Sequence, residues 1–330
     1  MKVLLRLIAL VLIFSACSDD DGVATTDPTE SIPIVKSDSS YAVSLEADIV
    51  YAEGLSHQNL NSTDFTVMPL KLDVYTPDNE MENRPAYVFI HGGGFVGGSK
   101  QAGRIVDLAN FYTSRGWVFI SVDYRLRDDK GTVPQEWADY LAGLSSDYAP
   151  VFLAIYPAQR DAKAALRWVV ANAENYRINT DYITVGGGSA GAITAITVGI
   201  SEPEDFRDEI DSGTDPSLLS TNVGQTYRIG TIVDFWGSKV ALDLLQAVYG
   251  HQRFDSNDPP LFIAHGIEDP TVPFSGAEDL KAVYDTNGVP LTYYPLEGWG
   301  HGAWNATVND KRLEELAFDF IVEQQYLVVE

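Results

Sequence analysis

Six short apolar runs, separated by amphipathic segments, constrain this chain more than any other feature of its sequence. They are Ala86–Ile90, Val118–Val122, Ile183–Val185, Ile229–Phe235, Leu261–Ala264 and Leu291–Pro295. A run without polar alternation fits a strand buried on both faces. Between the runs, Ala162, Ala165, Leu166, Val169 and Ala173 recur at helical spacing, as do Leu313, Leu316, Ala317, Phe320 and Ile321. Strands alternating with helices predict an α/β fold: a mostly parallel central sheet of about eight strands with helices on both faces. Val43–Glu53 and Phe65–Tyr75 complete the sheet as antiparallel strands at one edge. Two stretches break the alternation. One spans 128–155, with Trp137, Tyr140, Tyr148 and Phe152; the other spans 201–225 and is acidic. Loops of such length are often functional. They are expected to form a small cap over a substrate site, with a packed surface excursion as the other reading.

The first 40 residues follow a different logic. Lys2 and Arg6 precede the apolar run Leu7–Phe14, and Ser15-Ala16 leads to Cys17, the only cysteine. A charged start, a short apolar stretch and small residues form an export signal, here 1–16. The run is far short of the roughly 20 residues that span a bilayer. Cys17 after a small pair resembles the bacterial lipobox, whose cysteine is lipidated, although Phe14 stands where Leu is usual. An ordinary signal with an incidental cysteine is the alternative. Residues 17–40, starting Cys-Ser-Asp-Asp-Asp, are polar and cannot build a core, so they are expected to form a flexible acidic tether. The acidic run resembles a surface-export signal of lipoproteins in the Bacteroidetes; a solvated spacer explains it equally well. A bacterial lipoprotein at the outer membrane or cell surface is therefore expected, with one domain at 41–330. The formal charge is −25, and removing Lys2 and Arg6 makes it −27. A field of that sign disfavours nucleic acid and does not steer acidic substrates. A single cysteine also excludes an internal disulfide framework.

Candidate chemistry begins at Gly187-Gly188-Ser189-Ala190-Gly191, a G-x-S-x-G sequence between a strand-like and a helix-like segment. Such a turn crowds strand against helix and leaves the Ser189 hydroxyl outward. A hydroxyl needs a base to become a nucleophile. There are five histidines: His57, His91, His251, His265 and His301. His301, in Glu297-Gly-Trp-Gly-His-Gly302 after the last strand, is the best placed. His265 lies within a strand end and His91 braces a loop. The acid that orients the base is expected to be Asp269, just past a strand end, with Glu268 and Asp234 as alternatives. His91-Gly-Gly-Gly-Phe95 follows the first buried strand. It could offer backbone N–H groups to an oxyanion; it lacks the spacing of a nucleotide-binding glycine loop.

These motifs, with Val122-Asp-Tyr-Arg125 and Pro157-Ala-Gln-Arg-Asp-Ala-Lys-Ala-Ala-Leu-Arg-Trp168, resemble the α/β-hydrolase esterase/lipase family over about 41–326. The chain is similar to hormone-sensitive-lipase-like esterases and closer to the bacterial feruloyl-esterase- and acetylxylan-esterase-like branch. Gly188 departs from the lipase-like branch, which usually has an acidic residue there. The resemblance implies Ser189 as nucleophile, His301 as base and Asp269 as its orienter. It implies an oxyanion hole from the N–H groups of Gly93, Gly94 and Ala190, and no cofactor or metal. Asp123, Arg125, Asp161 and Trp168 would be structural braces. The implied activity is serine carboxylic-ester hydrolysis through an acyl-enzyme, with acetylated or feruloylated carbohydrate as a candidate substrate. A peptidase or amidase with the same triad, and a non-catalytic carbohydrate-binding lipoprotein, are the alternatives.

Overall fold

The structure, a computed structural model, describes residues 32–144 and 149–330. The signal segment, Cys17 and most of the expected tether lie outside the described residues.

A short strand, β1 (Ile34–Val35), precedes the main sheet. The main sheet is formed by β2 (Val43–His57), β3 (Phe65–Pro77), β4 (Arg84–Ile90), β5 (Val118–Val122), β6 (Ile178–Gly188), β7 (Thr231–Phe235), β8 (Leu261–Gly266) and β9 (Leu291–Leu296). Their spatial order is β2-β3-β5-β4-β6-β7-β8-β9. The pairs β2/β3 and β3/β5 are antiparallel and the rest are parallel. A hairpin of β10 (Thr307–Val308) and β11 (Lys311–Arg312) follows. Then β12 (Val328–Val329) pairs in parallel with β1. Residues 34–40, expected in the tether, therefore belong in part to the fold. Val35 is fully buried and Ser37 N–H donates to the Glu330 carbonyl, so the folded chain begins by residue 34.

The helices are α1 (Gly103–Thr113), α2 (Gln135–Ala142), α3 (Ala149–Ala171), α4 (Ala173–Tyr176), α5 (Ala190–Ile200), α6 (Val240–Tyr249), α7 (Ser275–Asn287) and α8 (Leu313–Gln324). Strand alternation sorts them into two layers. In β4, Ala86, Val88 and Ile90 join one apolar cluster, with α3, α5, α6 and α7. Tyr87 and Phe89 join the other, with Ile105, Leu108, Ala109 and Tyr112 of α1 and the apolar stripe of α8. Every residue of β4, β5, β7 and β8 is buried, as unbroken apolar runs require.

The described residues of both inserts, which leave out 145–148 with Tyr148, pack rather than roof the site. Helix α3 starts at Ala149, well before Ala162, because Pro157 is carried inside the helix rather than ending it. Three buried cations on one face of α3 then hold the second insert. Arg160 pairs with Asp215 at 3.2 Å, Lys163 donates to the Asp205 and Glu202 carbonyls, and Arg167 donates to the Thr221 carbonyl at 2.8 Å. Burial pushes Lys163 down to about 7. Trp137, Tyr156 and Phe206 join the inserts, with ring centroids 5.5–5.9 Å apart. None of their described residues lines the cavity at Ser189, so the expected cap gives way to a packed side layer.

Candidate active site

Ser189 follows the C-terminal end of β6 and opens α5, with φ 57° and ψ −124°. A non-glycine residue there carries strain of order 1–3 kcal/mol. The flanking glycines make it possible: a Cβ on Gly187 would sit 2.3 Å from Gly191, and one on Gly191 would sit 2.0 Å from the Ile90 carbonyl oxygen. The Ser189 N–H donates to the Phe235 carbonyl at 2.9 Å, tying the turn to β7.

Loops after β8 and β9 bring Asp269 and His301 to this turn. His301 Nδ1 lies 2.7 Å from Asp269 Oδ2, and His301 Nε2 lies 2.9 Å from Ser189 Oγ. An ionised carboxylate only accepts, so Nδ1 carries the proton and Nε2 is left to accept from the serine hydroxyl. Asp269 is fixed in turn by the N–H groups of Thr271 and Val272, which donate to Oδ1 at 2.8 and 3.0 Å. Its side chain is fully buried, whereas that of His301 is about a quarter exposed.

Gly93 and Gly94 adopt φ 118° and 62°, which glycine tolerates without strain. The N–H groups of Val96 and Gly97 close this loop onto the Gly93 carbonyl. Among the described residues, the N–H groups of Gly93 and Gly94 have no acceptor, and both residues line the cavity with Ser189 and His301. Ala190 stands at the first turn of α5, where helical N–H groups lack an intrahelical acceptor.

The remaining candidates have other roles. His91 stacks on Tyr124 at 4.4 Å, and the Tyr124 hydroxyl donates to the His91 carbonyl. Burial holds its imidazole below the usual range. His265 donates from Nε2 to the Val272 carbonyl at 2.9 Å, shaping the loop that carries Asp269. His57 braces Ser62 and Thr132, and His251 sits beside Asp205 and Arg253. Arg125 and Asp161 form a buried multidentate pair, with Nη2–Oδ1 at 2.6 Å. Asp123 accepts from the Lys100 N–H, and Trp168 packs on Tyr176. Asp234 is buried on β7; its Oδ1 accepts from the Gly237 N–H.

The cavity at Ser189 has a volume of about 590 Å³. Its apolar wall of Phe89, Trp236 and Trp304 is not apparent from sequence motifs. The nearest sequence signals are a Trp directly after β7 and a Trp three residues past His301. Among the described residues, no cluster of His, Cys, Asp and Glu could hold a metal ion.

The BD-FAE family model matches residues 72–145 and 138–253, more than half of the chain. Esterase LipC of Mycobacterium tuberculosis is 26% identical over 255 residues, covering 70% of this chain and 56% of LipC. Mouse carboxylesterase 1C is 29% identical over 215 residues, 61% of this chain and 35% of that enzyme. The chain thus spans about half or less of these curated relatives. Among solved structures, a propionate-bound esterase of Thermogutta terrifontis aligns with a TM-score of 0.60 and 23% identity, over 86% of this chain and 95% of that one. The likeness shows an α/β-hydrolase fold.

Proposed function

This chain belongs to the BD-FAE family, and from that premise we propose that it is a serine carboxylic-ester hydrolase acting through an acyl-enzyme on Ser189. The observation that carries the reading is the unbroken relay from Asp269 through His301 to Ser189 Oγ, at 2.7 and 2.9 Å. His301 Nε2 takes the hydroxyl proton as Oγ attacks the ester carbonyl. The oxyanion accepts from the backbone N–H groups of Gly93, Gly94 and Ala190. Collapse breaks the ester C–O bond, and His301 returns the proton to the departing alcohol. Water then repeats the attack on the acyl-enzyme, with His301 as base and afterwards as acid, releasing the carboxylic acid and Ser189. Asp269 holds the ring in the required tautomer and stabilises the imidazolium.

The substrate proposed within this class is an acetylated or feruloylated carbohydrate fragment, supported by the aromatic cavity wall on which planar groups and sugar rings can pack. We also propose that Cys17 is lipidated and anchors an exported protein at the outer membrane or cell surface, supported by the small-residue pair and apolar run before it. Replacing Cys17 by Ser should move the protein from the membrane fraction to the soluble one.

The catalytic reading is tested with 4-nitrophenyl acetate, acetylated xylan and methyl ferulate. Wild-type turnover, lost in Ser189→Ala, is the expected result. Retained aryl-ester hydrolysis in Ser189→Ala would sink the assignment, as would turnover of peptide anilides alone.

A further inference from the structure

Arg104, in the first turn of α1, lines the rim of the Ser189 cavity and is about half exposed. Apart from His91 and His301, it is the one ionisable side chain among the described lining residues. No Asp or Glu reaches this lining, in a chain with 47 acidic and 22 basic residues. Arg104 Nη2 donates to Asn305 Oδ1. Asn305 directly follows Trp304 in the loop that carries His301, so the charge is tied to the catalytic end of the cavity. The other neighbour is Asp107, 3.8 Å away and largely exposed, and a pair of that kind contributes little. A guanidinium carries five N–H donors in a planar fork, so most of Arg104 is left for a ligand.

We propose that Arg104 is a specificity-determining residue of this cavity, which takes esters bearing a carboxylate on the part remote from the reacting carbonyl. The inference rests on the ester-hydrolase reading above. A carboxylate meets a guanidinium through two parallel charge-assisted hydrogen bonds, a geometry that a neutral ester cannot reproduce. The acidity of the whole chain gives no long-range attraction to such a substrate. Selection operates at contact distance, where the carboxylate beside Arg104 is the largely exposed Asp107 outside the cavity lining.

The test uses two matched pairs that place the carboxylate on either side of the ester. Monophenyl glutarate against phenyl pentanoate puts it on the acyl part; 4-acetoxybenzoate against phenyl acetate puts it on the alcohol part. In at least one pair, kcat/KM should favour the anionic member by about tenfold, the scale of one charge-assisted contact. Arg104→Gln should abolish that preference, costing the anionic ester about tenfold more than the neutral one. Arg104→Lys should keep part of it, and Arg104→Glu should invert it. A second arm titrates tryptophan fluorescence in Ser189→Ala, with and without Arg104→Gln, using the same esters. Tighter binding of the anionic ester, lost with Arg104→Gln, supports the proposal independently of turnover. No anionic preference in either pair, or equal losses on both members in Arg104→Gln, would overturn it. Absence of all wild-type hydrolysis would instead overturn the ester-hydrolase reading, while the titration would still decide the role of Arg104.

Discussion

Ser189 and Asp269 could be picked out from sequence because each sits where local chemistry leaves few choices. The strained φ of Ser189 needs small neighbours on both sides, and Gly187 and Gly191 are visible without a structure. Gly188 was legible only as a departure. A Cβ there would lie 3.2 Å from the Trp304 ring, so an acidic side chain would displace the aromatic wall. Asp269→Asn should keep this geometry but offer His301 the wrong partner, lowering kcat roughly 10⁴-fold by steady-state assay. Asp234, weighed as an alternative acid, behaves differently. Burial pushes its carboxyl up to about 7, and among the described residues one oxygen has no partner. Its folded pKa exceeds the unfolded value of about 3.9. The associated stability is present below that value and is lost as pH rises toward about 7. Asp234→Asn should therefore gain about 1–3 kcal/mol more at pH 8 than at pH 5 in urea unfolding, at 1.36 kcal/mol per unit. An equal effect at both pH values would refute the assignment.

Helix α3 shows where periodicity stops being informative. The stripe from Ala162 onward is amphipathic and readable, but the stretch before it is buried on several sides and contains Pro157. Arg160, Lys163 and Arg167 recur at helical spacing and resemble a solvated face, yet they are buried because the 201–225 insert lays a carboxylate and backbone carbonyls over them. No local pattern reveals this, since the acceptors lie 39 to 55 residues away. The same helix supplies Asp161 to Arg125, which also donates to the Leu55 carbonyl of β2. Removing one partner of a buried pair strands the other charge. Arg125→Met should cost about 3–5 kcal/mol by chemical denaturation. Arg127→Met, two residues on in an exposed pair with Asp128, should leave the midpoint unchanged. Equal effects would mean that the buried pair has no special weight.

Across the whole molecule, the beginning and end of the described chain meet. Strand β1 pairs with β12, Glu330 N–H donates to the Val35 carbonyl, and Lys36 reaches the Glu330 carboxylate. Deleting 327–330 should uncover Val35 and remove buried Leu327, costing about 3–6 kcal/mol at 1.5–3 kcal/mol per buried side chain. It should also open residues 34–41 to limited proteolysis; unchanged protection would show that this pairing contributes nothing. That contact spans nearly 300 residues and explains why the tether looked longer from sequence than it is. By itself the sequence determined the α/β sheet and the candidate Ser189, Asp269 and His301, because strand and helix periods and glycine-flanked turns are properties of a few neighbouring residues. Tertiary structure alone decided where the fold begins, how the inserts pack and what surrounds the nucleophile. The cavity wall takes Phe89, Arg104, Trp236 and Trp304 from four segments that become neighbours only when the parallel strands align their C-terminal ends.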